Sequence, residues 1–144
     1  MNKGGYRKQY SQVQIQTANK GKLIVMLYQG AIKFMKKALI GLEKKDMEGK
    51  GNALIKAQDI ILELLYALDQ EMLDNGNELA LNLQRLYLYS YRRLVQANVR
   101  LDEEIIEEII GIMTNLAEAW ETVVAGDSGG DSTASSSSGM VLTG

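Results

Sequence analysis

The chain has 144 residues, enough for one domain that folds without staples and too few for a second core. It holds no cysteine and no histidine, which removes disulfides, thiolate and imidazole metal sites and histidine-dependent nucleophilic catalysis, leaving Asp, Glu, Lys and Tyr for any chemistry. A formal charge of −2 with both signs interspersed leaves no footprint for a nucleic acid.

No apolar run reaches the ~20 residues of a membrane span, and residues 1–10 are polar rather than signal-like. A soluble cytoplasmic protein is expected. The absence of proline, with Leu, Ala, Glu, Lys and Ile abundant, points to an all-α fold.

In chain order, residues 1–16 carry Gly4-Gly5, two tyrosines and the alternation Val13-Gln14-Ile15, which suits an N-terminal arm. Thr17 or Asn19 can cap a first helix running to about Lys45, with the apolar stripe Ile24, Leu27, Tyr28, Ala31, Met35, Ala38, Leu42. Its lysines 22, 33, 36, 37 and 44 fall on the other side as a solvated basic face. Residues 46–52, with two glycines, read as a turn into a second helix over about 53–72, whose stripe is Leu54, Ala57, Ile61, Leu64, Leu68, Met72. Asn75-Gly76-Asn77 breaks the chain before a third helix over about 78–101. Asp102, with Glu103 and Glu104 behind it, starts a fourth helix whose apolar side holds Ile105, Ile109, Ile112, Leu116, Trp120 and Val123. Such short links force neighbouring helices antiparallel, so the expected domain, residues 17–125, is an up-down-up-down four-helix bundle. From Gly126 the chain is Gly, Ser, Asp and Thr, a composition that cannot repay the entropy of ordering. Residues 126–144 therefore read as a disordered tail, a native extension or an appended linker, in which Met140 to Leu142 is the only part able to dock.

Helix three has more apolar residues than one buried face needs. At 100° per residue, Leu79, Leu83, Leu86, Ser90, Leu94, Ala97 and Leu101 form the predicted core stripe. Leu81, Leu88, Tyr91, Val95 and Val99 project to nearly the opposite side. On helix two, Ile55, Leu62, Tyr66 and Leu73 likewise repeat beside the core stripe. Two surplus seams on adjacent helices would form a groove for an amphipathic partner helix, a homodimer face, a bed for the N-terminal arm, or merely scattered surface apolar residues. Met26 and the other methionines suit an adaptable surface as well as core filling. The remaining motifs carry no chemistry. Glu103, Glu104, Glu107 and Glu108 read as a solvated face, the glycines follow no phosphate-loop spacing, and Arg92-Arg93 beside Gln96 and Asn98 could meet a carboxylate or phosphate. No cofactor and no metal is expected, and the chain does not read as an enzyme.

One stretch is specific: Asn77-Glu78-Leu79-Ala80-Leu81-Asn82-Leu83, then Leu86-Tyr87, then Arg92-Arg93-Leu94-Val95-Gln96-Ala97-Asn98. Further matching segments are Leu23-Ile24 with Met26 to Ala31, Lys56-Ala57 with Ile60-Ile61 and Leu68 to Glu71, and Ala117-Glu118-Ala119-Trp120. Together these resemble the flagellar secretion chaperone FliS family over about residues 10–124. Asn19-Lys20 stands where the family commonly has Ser-Pro, and Asn75-Gly76-Asn77 where it has Gly-Gly, departures that touch capping and turns. The resemblance implies a cytoplasmic export chaperone that wraps the C-terminal segment of flagellin, a segment disordered in the free monomer and helical in the filament. It also implies that the chaperone prevents premature polymerisation and supports delivery to the flagellar type III export gate as a chaperone–flagellin complex. In such a protein the arm, with Tyr10 and Val13, would cover part of the binding surface until the partner displaces it. The candidate partner-binding residues are then Tyr10, Val13, Met26, Ile55, Leu62, Tyr66, Leu81, Leu88, Tyr91, Val95 and Asn98, on a protein that is a monomer or weak homodimer when free. The alternative is a helical adaptor acting through homodimerisation or a folded partner.

Overall fold

The computed structural model describes residues 20–128, with side chains to residue 126, as five helices: α1 Lys20–Glu43, α2 Met47–Tyr66, α3 Gln70–Asp74, α4 Glu78–Arg100 and α5 Glu103–Ser128. No strand occurs among the described residues. The arm and the proposed caps Thr17 and Asn19 lie outside them.

In α1 the residues buried are Ile24, Tyr28, Ala31, Met35, Ala38 and Gly41, spaced by four and three as one helix face requires. At Gly41 a Cβ would stand 2.9 Å from the Lys50 backbone nitrogen, so only glycine lets the last turn of α1 pass this close to the start of α2. The chain then reverses through Lys45, which takes a φ of 60°, and Asp46 caps α2 by accepting from the Gly49 N–H at 2.9 Å.

The second helix thus begins six residues before the predicted start. Asp46 as cap, Glu48 in the first turn and contact with α1 together outweigh the cost of two helical glycines, about 1 kcal/mol each. At its other end α2 stops at Tyr66, and Asp69 caps the short α3 by accepting from the Glu71 N–H at 2.9 Å. Met72 rides on α3 and is exposed, so it does not extend the core stripe of α2. Gly76 turns the chain with φ 75°, Asn77 caps α4 through the Ala80 N–H, and Asp102 accepts from the Glu104 N–H at the start of α5. The turn at Gly76 and the cap Asp102 match the sequence expectation, which named no cap for α4, and α5 then runs to Ser128, into the stretch assigned to the tail.

The four long helices form a ring, with α1 against α2 and α5, and α4 against α2 and α5. Each neighbouring pair is antiparallel. Gly30 meets Ile60 and Gly41 meets Lys50; Lys50 reaches Asn98; Arg93 pairs with Glu108; and Trp120 shares a cleft with Lys20. The interior is filled by fully buried Tyr28, Met35, Leu54, Ile61, Leu94 and Ile109 among others. Each such side chain stabilises the fold by roughly 1.5–3 kcal/mol relative to an exposed one.

The core line of α4 runs Ala80, Leu83, Tyr87, Ser90, Leu94, Ala97. Leu83, Ser90, Leu94 and Ala97 were expected there, whereas Leu79 and Leu86 are only half-buried and Leu101 is exposed. Tyr87 takes the place given to Leu86 because its hydroxyl finds a buried partner on α1, and Leu101 leaves the helix as a left-handed cap with φ 54°. On α5 the buried residues are Ile105, Ile106, Ile109, Met113 and Ala117. Ile112, Leu116 and Trp120 pack half-buried along the edge of this core, Trp120 beside the start of α1.

Candidate partner-binding surface

The α2–α4 interface is pinned by a polar contact. Lys50 is buried, and its ammonium donates to the Asn98 backbone oxygen at 3.0 Å and to its Oδ1 at 2.6 Å. The backbone oxygen belongs to the last turn of α4, where carbonyls lack helical partners and a cation is favoured. Gly51 stands next to the same side chain, its Cβ position 3.7 Å from Asn98 Oδ1, and this fixes which flank of α2 faces α4.

Turning 100° per residue from Gly51, that flank continues through Ile55, Leu62 and Tyr66. From Asn98 the facing flank of α4 continues through Tyr91, Val95, Leu88, Val99 and Leu81. The two seams therefore border one groove. Ile55 is 50% exposed, Tyr66 78%, Val95 41% and Val99 78%. Leu62, Leu81, Leu88 and Tyr91 are half-buried beneath them, with Tyr91 packed on the core. Apolar side chains of this kind along a packed helix pair suit an amphipathic helix that lays its own apolar face against them.

A second apolar feature lies at one end of the bundle. A cleft of about 280 Å³ opens between the start of α1, the end of α2, α3, the start of α4 and the end of α5, lined by Ile24, Leu68, Leu79, Leu83 and Trp120 among others. Behind it the Tyr28 and Tyr87 hydroxyls meet at 2.5 Å, with ring centroids 6.3 Å apart. Burial pushes the Tyr87 hydroxyl up to about 12, and burial together with Tyr87 pushes Tyr28 higher still. Both stay neutral at any physiological pH. The Trp120 indole nitrogen lies close enough to favour the charged form of Tyr28 slightly, yet it is buried without a well-formed hydrogen bond.

Among the described residues the polar surface carries one side-chain network between α4 and α5. Tyr89 donates to Glu108, which raises its pKa, and Arg93 reaches the same carboxylate at 3.3 Å, an exposed network of small energetic weight. Among the described residues no three carboxylates come together as a metal site, and no helix is long and apolar enough to cross a membrane.

Comparison with known proteins gives the chain a family. The profile of the family described as flagellar protein FliS matches residues 1–127. The chain belongs to the FliS family. It is 45% identical over 121 residues to the flagellar secretion chaperone FliS of Salmonella typhimurium, covering 81% of this chain and 87% of the relative. It is 40% identical over 115 residues to that of Bacillus subtilis, covering 80% and 83%, and 38% identical over 108 residues to that of Escherichia coli, covering 74% and 77%. A FliS-family protein is a chaperone and not an enzyme.

Within this FliS-family bundle the residues nominated from sequence divide into three groups. By helix phase, Ile55, Leu62 and Tyr66 of α2 and Leu81, Leu88, Tyr91 and Val95 of α4 lie on the flanks that border the α2–α4 contact. Met26 does not. It is 38% exposed on the far side of α1, in a shallow depression shared with Val25, Val124 and Ala125. Asn98 stands at the end of the groove but holds Lys50. Tyr10 and Val13 fall outside the described residues. Val99, placed by the sequence on the surplus seam but not among the candidate site residues, is among the most exposed apolar side chains, and the end cleft was missed altogether. The cleft draws on five helices and leaves no local signal.

Proposed function

We propose that this protein holds the C-terminal segment of flagellin in the cytoplasm, keeps it from polymerising prematurely and supports its delivery to the flagellar type III export apparatus. The observation that carries this reading is the exposure of the apolar side chains Ile55, Tyr66, Val95 and Val99 on two packed antiparallel helices. A segment that is disordered alone and helical when assembled would cover its apolar face by lying along the groove. Ordering on binding costs roughly 2–5 kcal/mol of the gross interaction, which keeps the complex releasable for handover.

Titration calorimetry with a flagellin C-terminal peptide, paired with far-ultraviolet dichroism, tests this. One-to-one saturable binding with more helix than the two components show separately is expected. No heat and no gain of helix would reject the reading. A stable dimer that loses its self-association when Val95 is charged would instead make the groove a contact between copies.

A further inference from the structure

The lysines of α1 read from sequence as a solvated face, yet the fold gathers some of them with a lysine of α2. At 100° per residue, Lys33, Lys37 and Lys44 lie within about 40° of one another, beside Gly30 and Gly41, which meet α2. Lys56 comes from α2 to the same place. Its ammonium and that of Lys37 each stand 5.4 Å from the centre of the Phe34 ring, which itself packs half-buried on the core. Two cations from different helices thus share one aromatic floor.

A cleft of about 320 Å³ opens here between α1 and α2, lined by Phe34, Lys37, Ile40, Lys44, Asn52 and Lys56 among others. Lys37, Lys44 and Lys56 are exposed, and among the described residues none of the three forms an ion pair. Asp46 also lines the cleft, but its Oδ1 accepts from the Gly49 N–H as the cap of α2. Converging ammonium groups repel one another, and a carboxylate placed between them relieves that repulsion while its own charge is met twice.

The basic patch is bounded. On α2, Asp59 and Glu63 follow Lys56 along the same flank, so an extended polyanion or an anionic membrane would run from the cations onto like charges. A net charge of −2 supplies no wider attraction for either. Along α1, Lys37 and Lys44 are seven residues or about 10 Å apart, the spacing of carboxylates three residues apart in an extended segment. Ile40, 50% exposed, offers an apolar contact beside them.

We propose that this cleft docks a short acidic segment of a protein partner, its carboxylates held by Lys37, Lys44 and Lys56 and an apolar side chain laid against Ile40. Lys56 and Ile55 point about 100° apart on α2, so the cleft and the α2–α4 flank can be filled together. The inference concerns the α1–α2 flank alone and does not depend on flagellin being the partner on the other side.

The probe is a fluorescein-labelled peptide of about ten residues with four carboxylates around one leucine, beside its twin with Asn and Gln in place of the acids. Anisotropy at low ionic strength should show one-to-one binding of the acidic peptide only. Binding should be about fivefold weaker to Lys37→Gln/Lys56→Gln, as the loss of two exposed ion pairs implies, and unchanged to Lys36→Gln/Arg85→Gln, which removes the same charge elsewhere. Dichroism should show the same helicity in both variants. Carbodiimide coupling followed by mass spectrometry should place the peptide on Lys37, Lys44 and Lys56. Equal binding of the amide twin, equal weakening by the two variants, or adducts spread evenly over Lys20, Lys36 and Lys45 each overturn the proposal. So does tighter binding of a single-stranded oligonucleotide or of phosphatidylglycerol vesicles through Lys37 and Lys56, which would make the patch a phosphate reader.

Discussion

Leu94 and Val95 are chain neighbours on α4, equally apolar in kind, and they face in different directions. Leu94 has no exposed surface and sits among Leu54, Ile61 and Ile109 in one continuous core, whereas Val95 keeps 41% of its surface and borders the groove with Val99 and Ile55. The 100° step between them separates what folds the protein from what is available to a partner. Apolar character alone cannot assign either role; the side of the helix does, and that side is set by where α2 and α5 pack. Changes at the inner positions should therefore act on stability, and changes at the outer positions on binding.

The largest effect is expected inside. Leu94→Glu would bury a carboxylate in a fully enclosed apolar position, at a cost of several kcal/mol, comparable with the whole stability of a domain this size. Urea unfolding followed by dichroism should show no cooperative transition, or one displaced to very low denaturant. A loss under about 1 kcal/mol would mean that Leu94 is not core.

A smaller inner effect depends on pH. Tyr87 titrates near 12 in the folded protein against an ordinary value of 10, because burial disfavours its phenolate. A group whose pKa is raised on folding contributes stability that is complete below its unfolded value and is lost as pH rises through the folded one. At about 1.4 kcal/mol per unit, Tyr87 should contribute a fall of roughly 2 kcal/mol between pH 10 and pH 12, on top of the loss from Tyr28, so the decline should be shallower in Tyr87→Phe. Denaturant midpoints measured across that window decide it; an equal alkaline decline in the variant would remove Tyr87 from the explanation.

The same inner and outer contrast explains what the sequence could and could not reveal. The starts of α4 and α5 were legible because Asn77 and Asp102 are caps standing directly after a break in periodicity. The start of α2 was not, since Gly49 and Gly51 read as a turn, and only the close passage of Gly41 against Lys50 shows why a helix runs there. Leu86 and Tyr87 are adjacent and both apolar, so spacing could not choose between them, and the choice fell to the hydroxyl pair with Tyr28, 59 positions away. Lys50 looks like any surface lysine until α4 supplies Asn98. Most of the groove was legible, because the seams on α2 and α4 repeat within their own helices, but that they share one groove is a fact of packing.

The outer position gives the smallest stability change and the most direct test of a fold-neutral binding groove. Val95→Glu should stay within about 1 kcal/mol of the parent in denaturant unfolding, since an exposed site tolerates polarity. In titration calorimetry with the flagellin C-terminal segment, the same variant should bind at least about tenfold more weakly, a loss of ~1.4 kcal/mol or more, because a hydrated charge replaces an apolar contact. Binding as tight as the parent's, with the fold intact, would contradict the groove as the flagellin site.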